Sequence, residues 1–545
     1  MNRSDLSKQQ KRVLDETLDE GSSRILVLGG PGSGKTTVAL WAAREYLESS
    51  GNQGARALFL TFSRAAVRQI YIAAGGSLAG TGQAVEVSTF HGLAYRIVRA
   101  FGRYDGRGSV VPKLQTATRQ KLLGAAPDRL TYDDLIPDAL AVLSKGGVVR
   151  DLWAKRWDLV ICDEVQDTDS IQWELVDALA PSEVILLGDA NQMIYTFLDG
   201  VSPERFAEVT NLADSVIELE EKSHRDPSGS IPALAKAVMS RDFDHEAIKY
   251  AVDEGILKII SGVEPNGYKE LLPPLLRDLR SDDCVTVGVF AHSNAAVADL
   301  GNELSDAGVP YVLVGIPEAH AEAIGVMITL CCYSVDQTTA DEVRESLALF
   351  LTSCVRGNPP DLAYGFLGTR DLPEGISRTL DELLTALHST DLQVVGDLAQ
   401  LAIQAWPGLR IRVGTGPWRR ATSYFSRFVR DLANEAISPN VVDVLRERIE
   451  AYKSEALIDR DIVERGRLSL MNFHQTKGRE ADGIVHIYRA DDYLGKEKEP
   501  FKEASRLLYV ALTRARKRIV VVLPANPHPL VAPLADLPKP VINGL

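Results

Sequence analysis

The sequence predicts an α/β protein made of two parallel-sheet domains, each interrupted by a mostly helical insertion. Three observations predict it. Short apolar runs alternate with helical stretches through the first third of the chain, the same texture returns later, and two long stretches break the rhythm. Continuous apolar strands between helices are what a parallel sheet covered on both faces requires.

In order, Ile25-Leu26-Val27-Leu28 reads as a buried strand, followed by a Gly-rich turn and a helical stretch over 35–47. Residues 57–60, 85–88, 159–162 and 184–187 read as further strands of the same kind. A second set runs over 216–219, 285–290, 311–314, 468–471, 484–487 and 519–523. Residues 93–154 are mixed and mostly helical in pattern, and 316–464 are helix-rich, with leucines at helical spacing between Leu380 and Leu401. The expected partition is a first α/β domain over 1–92 and 155–215, a short insertion over 93–154, a second α/β domain over 216–315 and 465–530, a larger insertion over 316–464, and a tail over 531–545. Neither repeats nor low-complexity tracts are present, and the charged stretch 491–500 reads as an exposed loop.

Bulk properties narrow the field. The 545 residues carry 60 basic and 74 acidic side chains, a formal charge of −14, so a histone-like basic coat is excluded and any nucleic-acid contact must sit in a local groove. The cysteines (Cys162, Cys284, Cys331, Cys332 and Cys354) form no CxxC pair and have no histidine cluster beside them, which favours free thiols over a metal site. The polar residues 1–11 predict no signal peptide, and no run approaches the roughly 18 apolar residues of a membrane span, so the cytoplasm is the expected compartment.

Gly29-Gly30-Pro31-Gly32-Ser33-Gly34-Lys35-Thr36 fits GxxxxGK[ST] between a strand and a helix, the context that makes a phosphate-binding loop specific. The glycines let backbone N–H groups curl around phosphates at a helix N-terminus. Lys35 is placed to reach the β/γ-phosphates of ATP, and the Thr36 hydroxyl to ligate Mg²⁺. Such a loop needs an acidic partner, and Asp163-Glu164 supplies one after the apolar run 159–162, at the strand end where α/β sheets bind ligands. Asp163 is the expected second Mg²⁺ ligand, and Glu164 the base for the attacking water.

Those two motifs alone specify a P-loop nucleotidase. Asp163-Glu164-Val165-Gln166-Asp167, however, resembles the DExQD box of the UvrD/Rep/PcrA helicases of superfamily 1, and further segments resemble that family in order. They are Leu6-Ser7-Lys8-Gln9-Gln10, Thr61-Phe62-Ser63-Arg64-Ala65-Ala66, Thr89-Phe90-His91, Gly188-Asp189-Ala190-Asn191-Gln192-Met193-Ile194-Tyr195, Ser223-His224-Arg225-Asp226, His474-Gln475-Thr476-Lys477-Gly478-Arg479-Glu480, and the run from Leu508 to Arg516. The resemblance spans about residues 6 to 523 and implies two RecA-like domains. It implies Arg225 and Arg514 as arginines that neutralise the transferred phosphoryl group, Gln192 as a γ-phosphate sensor, Glu480 beside the sugar and Gln10 on the adenine edge, with Thr37 also at the nucleotide. It implies Phe62, His91, Tyr195, Phe197 and Asn294 as contacts to single-stranded DNA, with aromatic faces stacking on bases.

Several positions depart from the family pattern. His224 replaces an adenine-stacking tyrosine, Ala65 stands where lysine is usual, Thr37 where some members have arginine, and Phe197 where a tryptophan is common. Only about 70 residues separate His91 from Asp163, a short first insertion, and no nuclease domain is expected after the last motif. Independently of the family, residues 410–430 carry Arg410, Arg412, Arg419, Arg420, Arg427 and Arg430 among Trp418, Tyr424, Phe425 and Phe428 with no acidic residue, which reads either as a duplex or partner surface or as an amphipathic helix with a basic outer face.

The expected activity is ATP-driven translocation on single-stranded DNA, which the resemblance implies runs 3′ to 5′, with unwinding at single-strand/duplex junctions, in repair, recombination or defence. The rivals are a DNA-stimulated ATPase subunit acting as switch or sensor for a partner such as a nuclease, a nucleotide-gated binding module without turnover, and an RNA motor. No membrane partner is expected.

Overall fold

A computed structural model describes residues 3, 6–19, 23–49, 55–62, 67, 70, 85–101, 113–124, 129–145, 147–154, 156–179, 183–220, 223–264, 267–314, 317–355, 357–389, 391–457, 468–492, 494 and 497–537. Two six-stranded sheets organise them, and every strand pair within each sheet is parallel. The first runs in the spatial order Val85–Thr89, Ala57–Thr61, Leu159–Cys162, Glu183–Gly188, Arg24–Leu28, Ser215–Glu218. The second runs Tyr311–Leu313, Leu468–Asn472, Val287–Ala291, Ala481–Ile487, Ala515–Pro524, Leu257–Val263.

The apolar runs behave as two-faced strands. Along the first sheet Ile25, Val27, Phe59, Ile161 and Ile185 point into one core, while Leu26, Leu58, Leu60, Val160 and Leu186 point into another. The second sheet divides likewise, with Phe290, Ile484, Ile519 and Val521 on one side and Val289, Leu470, Val485 and Val520 on the other. Burying both faces is what an alternation of period two within an all-apolar run produces.

One expected strand changes sheets. The sequence places the run 216–219 in the second α/β domain, but Ser215–Glu218 pairs in parallel with Arg24–Leu28 and closes the edge of the first sheet. The corresponding edge of the second sheet is Leu257–Val263, which the sequence reading passed over.

The described part of the first insertion holds the helices Phe90–Phe101, Ala117–Leu123, Tyr132–Ser144 and Val148–Ala154, with a two-stranded pairing of Lys113–Leu114 and Arg129–Leu130. The second holds the helices Glu318–Tyr333, Ala340–Ser353, Asp361–Phe366, Glu374–Leu387, Val395–Gly408, Thr415–Val429 and Pro439–Leu457. Its core is continuous with one face of the second sheet, and Phe350 meets the Trp406 ring edge-on at 4.6 Å there. The two insertions also touch: Leu122 is buried in that core and Arg119 pairs with Glu345 at 2.6 Å.

Helix Thr415–Val429 settles part of the basic-aromatic segment. Trp418, Tyr424 and Phe425 are buried. Arg420 pairs with Asp299 at 2.7 Å, and Arg427 lies 4.7 Å from the Tyr424 ring centroid and donates to the Tyr311 hydroxyl at 3.2 Å. Those two arginines fasten the insertion to helix Asn294–Asp306 and strand Tyr311–Leu313 of the second α/β unit, while Arg410, Arg412, Arg419 and Arg430 remain exposed.

Candidate active site

The carboxyl ends of the first sheet gather the chemistry. Arg24–Leu28 leads into the loop at Gly29, Ala57–Thr61 into Phe62, Val85–Thr89 into the helix bearing His91, Leu159–Cys162 into Asp163, and Glu183–Gly188 into Asp189. Strand order puts the Asp163 strand one place removed from the loop strand, with Glu183–Gly188 between them. Gly32 and Gly34 adopt φ of 76° and 88°, a backbone that other residues rarely take, and this curls the loop before helix Lys35–Ser49. The Lys35 ammonium donates to the carbonyls of Gly29 (2.5 Å) and Gly30 (3.3 Å), and the buried Ser33 hydroxyl has no hydrogen-bond partner. A lysine turned on its own loop and an orphaned hydroxyl among helix N-terminal N–H groups fit an anion such as a phosphate chain. Pro31 is buried, and Thr36 and Thr37 lie half-buried in the first helical turn. Gln10 closes a capping box, its Oε1 accepting from Ser7 N at 3.0 Å and its Nε2 donating to Ser33 O at 3.4 Å.

Asp163 is buried, and its backbone N–H donates to Leu60 O at 2.8 Å. Burial first, and the neighbouring Glu164 charge second, hold the Asp163 carboxyl above the usual carboxylate range. A buried carboxylate beside a threonine-bearing loop is an all-oxygen donor set suited to Mg²⁺. Glu164 sits in the left-handed region at φ 56°, ψ 41°, which costs a non-glycine residue about 1–2 kcal/mol. Burial works to raise its pKa, but Lys477 and Lys35 outweigh it and pull the group below the ordinary carboxylate range. Gln166 donates to Glu164 Oε2 at 2.6 Å and accepts from Asp189 N at 3.1 Å. Gln192 donates to Asp189 Oδ2 at 2.8 Å.

The second sheet's side supplies cations. His224 N donates to Gly32 O at 2.8 Å, which lays the segment 223–226 directly on the loop. Arg225 pairs with Glu480 at 2.7 Å and donates to Thr513 O at 3.2 Å. Arg514 is buried and donates to Gln192 Oε1 at 3.0 Å; burial, and then Arg225 beside it, push its pKa down to about 10. Glu480 also receives Arg516 at 3.1 Å. Eight residues, 473–480, cross from the carboxyl end of Leu468–Asn472 to the amino end of Ala481–Ile487.

That crossing carries a residue the sequence reading did not single out. The buried Lys477 ammonium pairs with Asp167, lies 3.4 Å from Glu164 Oε2 and donates to Gln192 O at 3.3 Å. Asp167 and Gln166 were likewise quoted only as part of the acidic box. Lys477 and Asp167 lie 310 residues apart, while the Gln166 partners Glu164 and Asp189 are 2 and 23 residues away.

An aromatic row adjoins this centre. Phe62 stacks on Tyr195 (5.0 Å between centroids, 26°), Tyr195 is 5.9 Å from Phe197, and Phe197 meets His474 edge-on at 5.3 Å. Tyr195 donates to His474 O at 3.2 Å across the seam; burial, and then Glu164, raise its pKa to about 12. Burial, and then His292, lower His474 to about 4, so its ring is neutral at neutral pH. Phe197 is 65% exposed, so its ring face is open to solvent at the end of the row. His91 is edge-on to Tyr132 at 5.8 Å, and Asn294 accepts from Asn472 Nδ2 at 2.6 Å. Ser63, Arg64, Ala65 and Ala66 of the matched segment after Phe62 lie outside the described residues.

Two family models and several known proteins are similar to this chain. Residues 10–198 match an AAA domain model, and residues 422–525 match the UvrD-like helicase C-terminal domain. The ATP-dependent DNA helicase UvrD1 of Mycobacterium tuberculosis is 24% identical over 95% of this chain and 82% of its own length. UvrD2 of the same organism is 23% identical over 91% and 76% respectively. A probable DNA helicase II homolog of Mycoplasma pneumoniae is 36% identical over 77 residues, 14% of this chain and 11% of that protein.

Proposed function

The chain belongs to the UvrD-like helicases of superfamily 1, and from that premise we propose that it hydrolyses ATP to move 3′ to 5′ along single-stranded DNA and to open duplex at junctions. The observation that carries the reading is the seam itself. Lys35 and Glu164 from the first sheet stand within one network with Arg225, Lys477 and Arg514, and Tyr195 joins that network to the aromatic row.

ATP would lie along Gly29, Gly30, Pro31, Gly32, Ser33, Gly34, Lys35 and Thr36, with Gln10, Thr37 and Glu480 toward its other end. Thr36 and Asp163 would hold Mg²⁺, which when bound supplies charge neutralisation between phosphates. Glu164 takes a proton from the attacking water as its oxygen bonds to the γ-phosphorus, and the bond to the ADP oxygen breaks. Arg225 leaves Glu480 and joins Arg514 in neutralising the transferred group, while Gln192 reports its presence. Because the arginines and the loop belong to different sheets, nucleotide draws the seam closed and hydrolysis releases it. The two α/β domains and their insertions are the moving bodies. Phe62, Tyr195 and Phe197 stack on bases, His91 and Asn294 contact the strand, and the exposed Arg410, Arg412, Arg419 and Arg430 face duplex phosphates.

The test is ATPase activity with and without single-stranded DNA, together with displacement of duplexes carrying 3′ or 5′ tails. Stimulation by DNA and displacement from 3′ tails are expected. Hydrolysis indifferent to nucleic acid would overturn the motor, stronger stimulation by RNA would change the track, and turnover without displacement would favour a switch serving a partner such as a nuclease.

A further inference from the structure

We propose that Gln166 is the positioning residue that aims Glu164 at the attacking water and couples that aim to Arg514, an inference that rests on the ATPase reading above. The geometry is a continuous relay. Gln166 Nε2 donates to Glu164 Oε2 at 2.6 Å, while its Oε1 is held by Asp189 N at 3.1 Å. The Asp189 carboxylate holds Gln192 Nε2 at 2.8 Å, and Gln192 Oε1 accepts from Arg514 at 3.0 Å. Gln166 is buried, so neither end of its amide exchanges freely with water, and both ends are committed.

Two features make the amide more than a satisfied core group. Glu164 has a left-handed backbone that its own sequence does not favour, so its orientation must be imposed by contacts. Gln166 and Lys477 both engage Oε2, and this leaves Oε1 as the oxygen that takes the water's proton. Arg514 is held by the same chain of bonds, through Gln192. Moving Arg514 toward a phosphate draws on Gln192 and Asp189, and hence on the amide that fixes the base.

The test uses the full chain with Gln166→Met, which keeps length without the amide, and Gln166→Glu, which keeps the acceptor but sets a carboxylate against Glu164. Turnover at saturating ATP and single-stranded DNA should fall about 10- to 100-fold in both, as misaimed catalytic groups do. At a temperature where both variants remain folded, the KM and the Kd for a fluorescent ATP analogue should stay near the parent values, and trapping by ADP with aluminium fluoride should weaken while ADP binding does not. Turnover of Gln166→Met within twofold of the parent overturns the proposal, as does a loss of nucleotide affinity equal to the loss of turnover. If the parent hydrolyses ATP and Gln166→Met is indifferent, only this inference falls; a parent without turnover removes the ATPase reading along with it.

Discussion

Lys477 and Asp167 meet across the seam between the two sheets, and both are buried. Breaking a buried pair from one side strands a charge and typically costs about 3–5 kcal/mol. Lys477→Met should therefore lower unfolding free energy by about that amount in urea titrations. Adding Asp167→Asn should recover much of it. No recovery in the double variant would mean that Lys477 acts through Glu164 or Gln192 instead.

Glu164→Gln keeps the shape of the side chain and removes the proton acceptor. Nucleotide binding, read by a fluorescent analogue, should be unchanged, and turnover should fall at least about 100-fold. Retained turnover would place the activation of water elsewhere.

Phe197 is the most exposed ring of its row. Phe197→Ala should weaken single-strand affinity by about 1–3 kcal/mol, roughly 5- to 150-fold, and reduce DNA-stimulated more than basal hydrolysis. Equal loss of both rates would assign the ring to packing.

His320 sits in helix Glu318–Tyr333 against the Tyr424 ring, its Nε2 without a hydrogen-bond partner, with Arg420 and Asp299 nearby. Burial, and then Arg420, lower its pKa to about 4. The unfolded imidazole titrates near ~6.5. Between those values the unfolded chain binds a proton that the folded chain refuses, so stability is full above pH ~6.5 and declines as pH falls toward 4, by up to about 3 kcal/mol. His320→Leu should flatten the stability–pH slope in that window by up to about 1.4 kcal/mol per pH unit, measured by denaturant titration at each pH. An unchanged slope would mean that other buried histidines carry the dependence.

The sequence made some of this architecture legible for definable reasons. The loop from Gly29 to Thr36 and the pair Asp163-Glu164 are local signals, because a turn of fixed φ and a carboxylate after an apolar strand need no distant partner to be recognised. Sheet membership is different. Ser215–Glu218 is an edge strand with only Ile217 buried, and only tertiary pairing with Arg24–Leu28 decides where it lies. Leu257–Val263 is a half-buried edge strand containing Ser261 and Gly262, so its periodicity is weak. Lys477 and Asp167 are 310 residues apart, a distance at which spacing carries no information. The arginines of 410–430 divide between packing and surface according to neighbours such as Asp299 and Tyr311, which lie outside the segment.

The crossing 473–480 has little slack. Register sets Asn472 level with Ala291 and Ile487, so the chain must run back the length of Ala481–Ile487, about 20 Å, while stepping sideways over the Val287–Ala291 strand. Nine Cα–Cα steps from Asn472 to Ala481 reach at most about 30 Å, and three of the residues between are wound in a 3₁₀ turn at His474–Thr476. A tether this short passes displacement on: a tug at Glu480 reaches His474 as movement once the few ångströms of spare length are taken up.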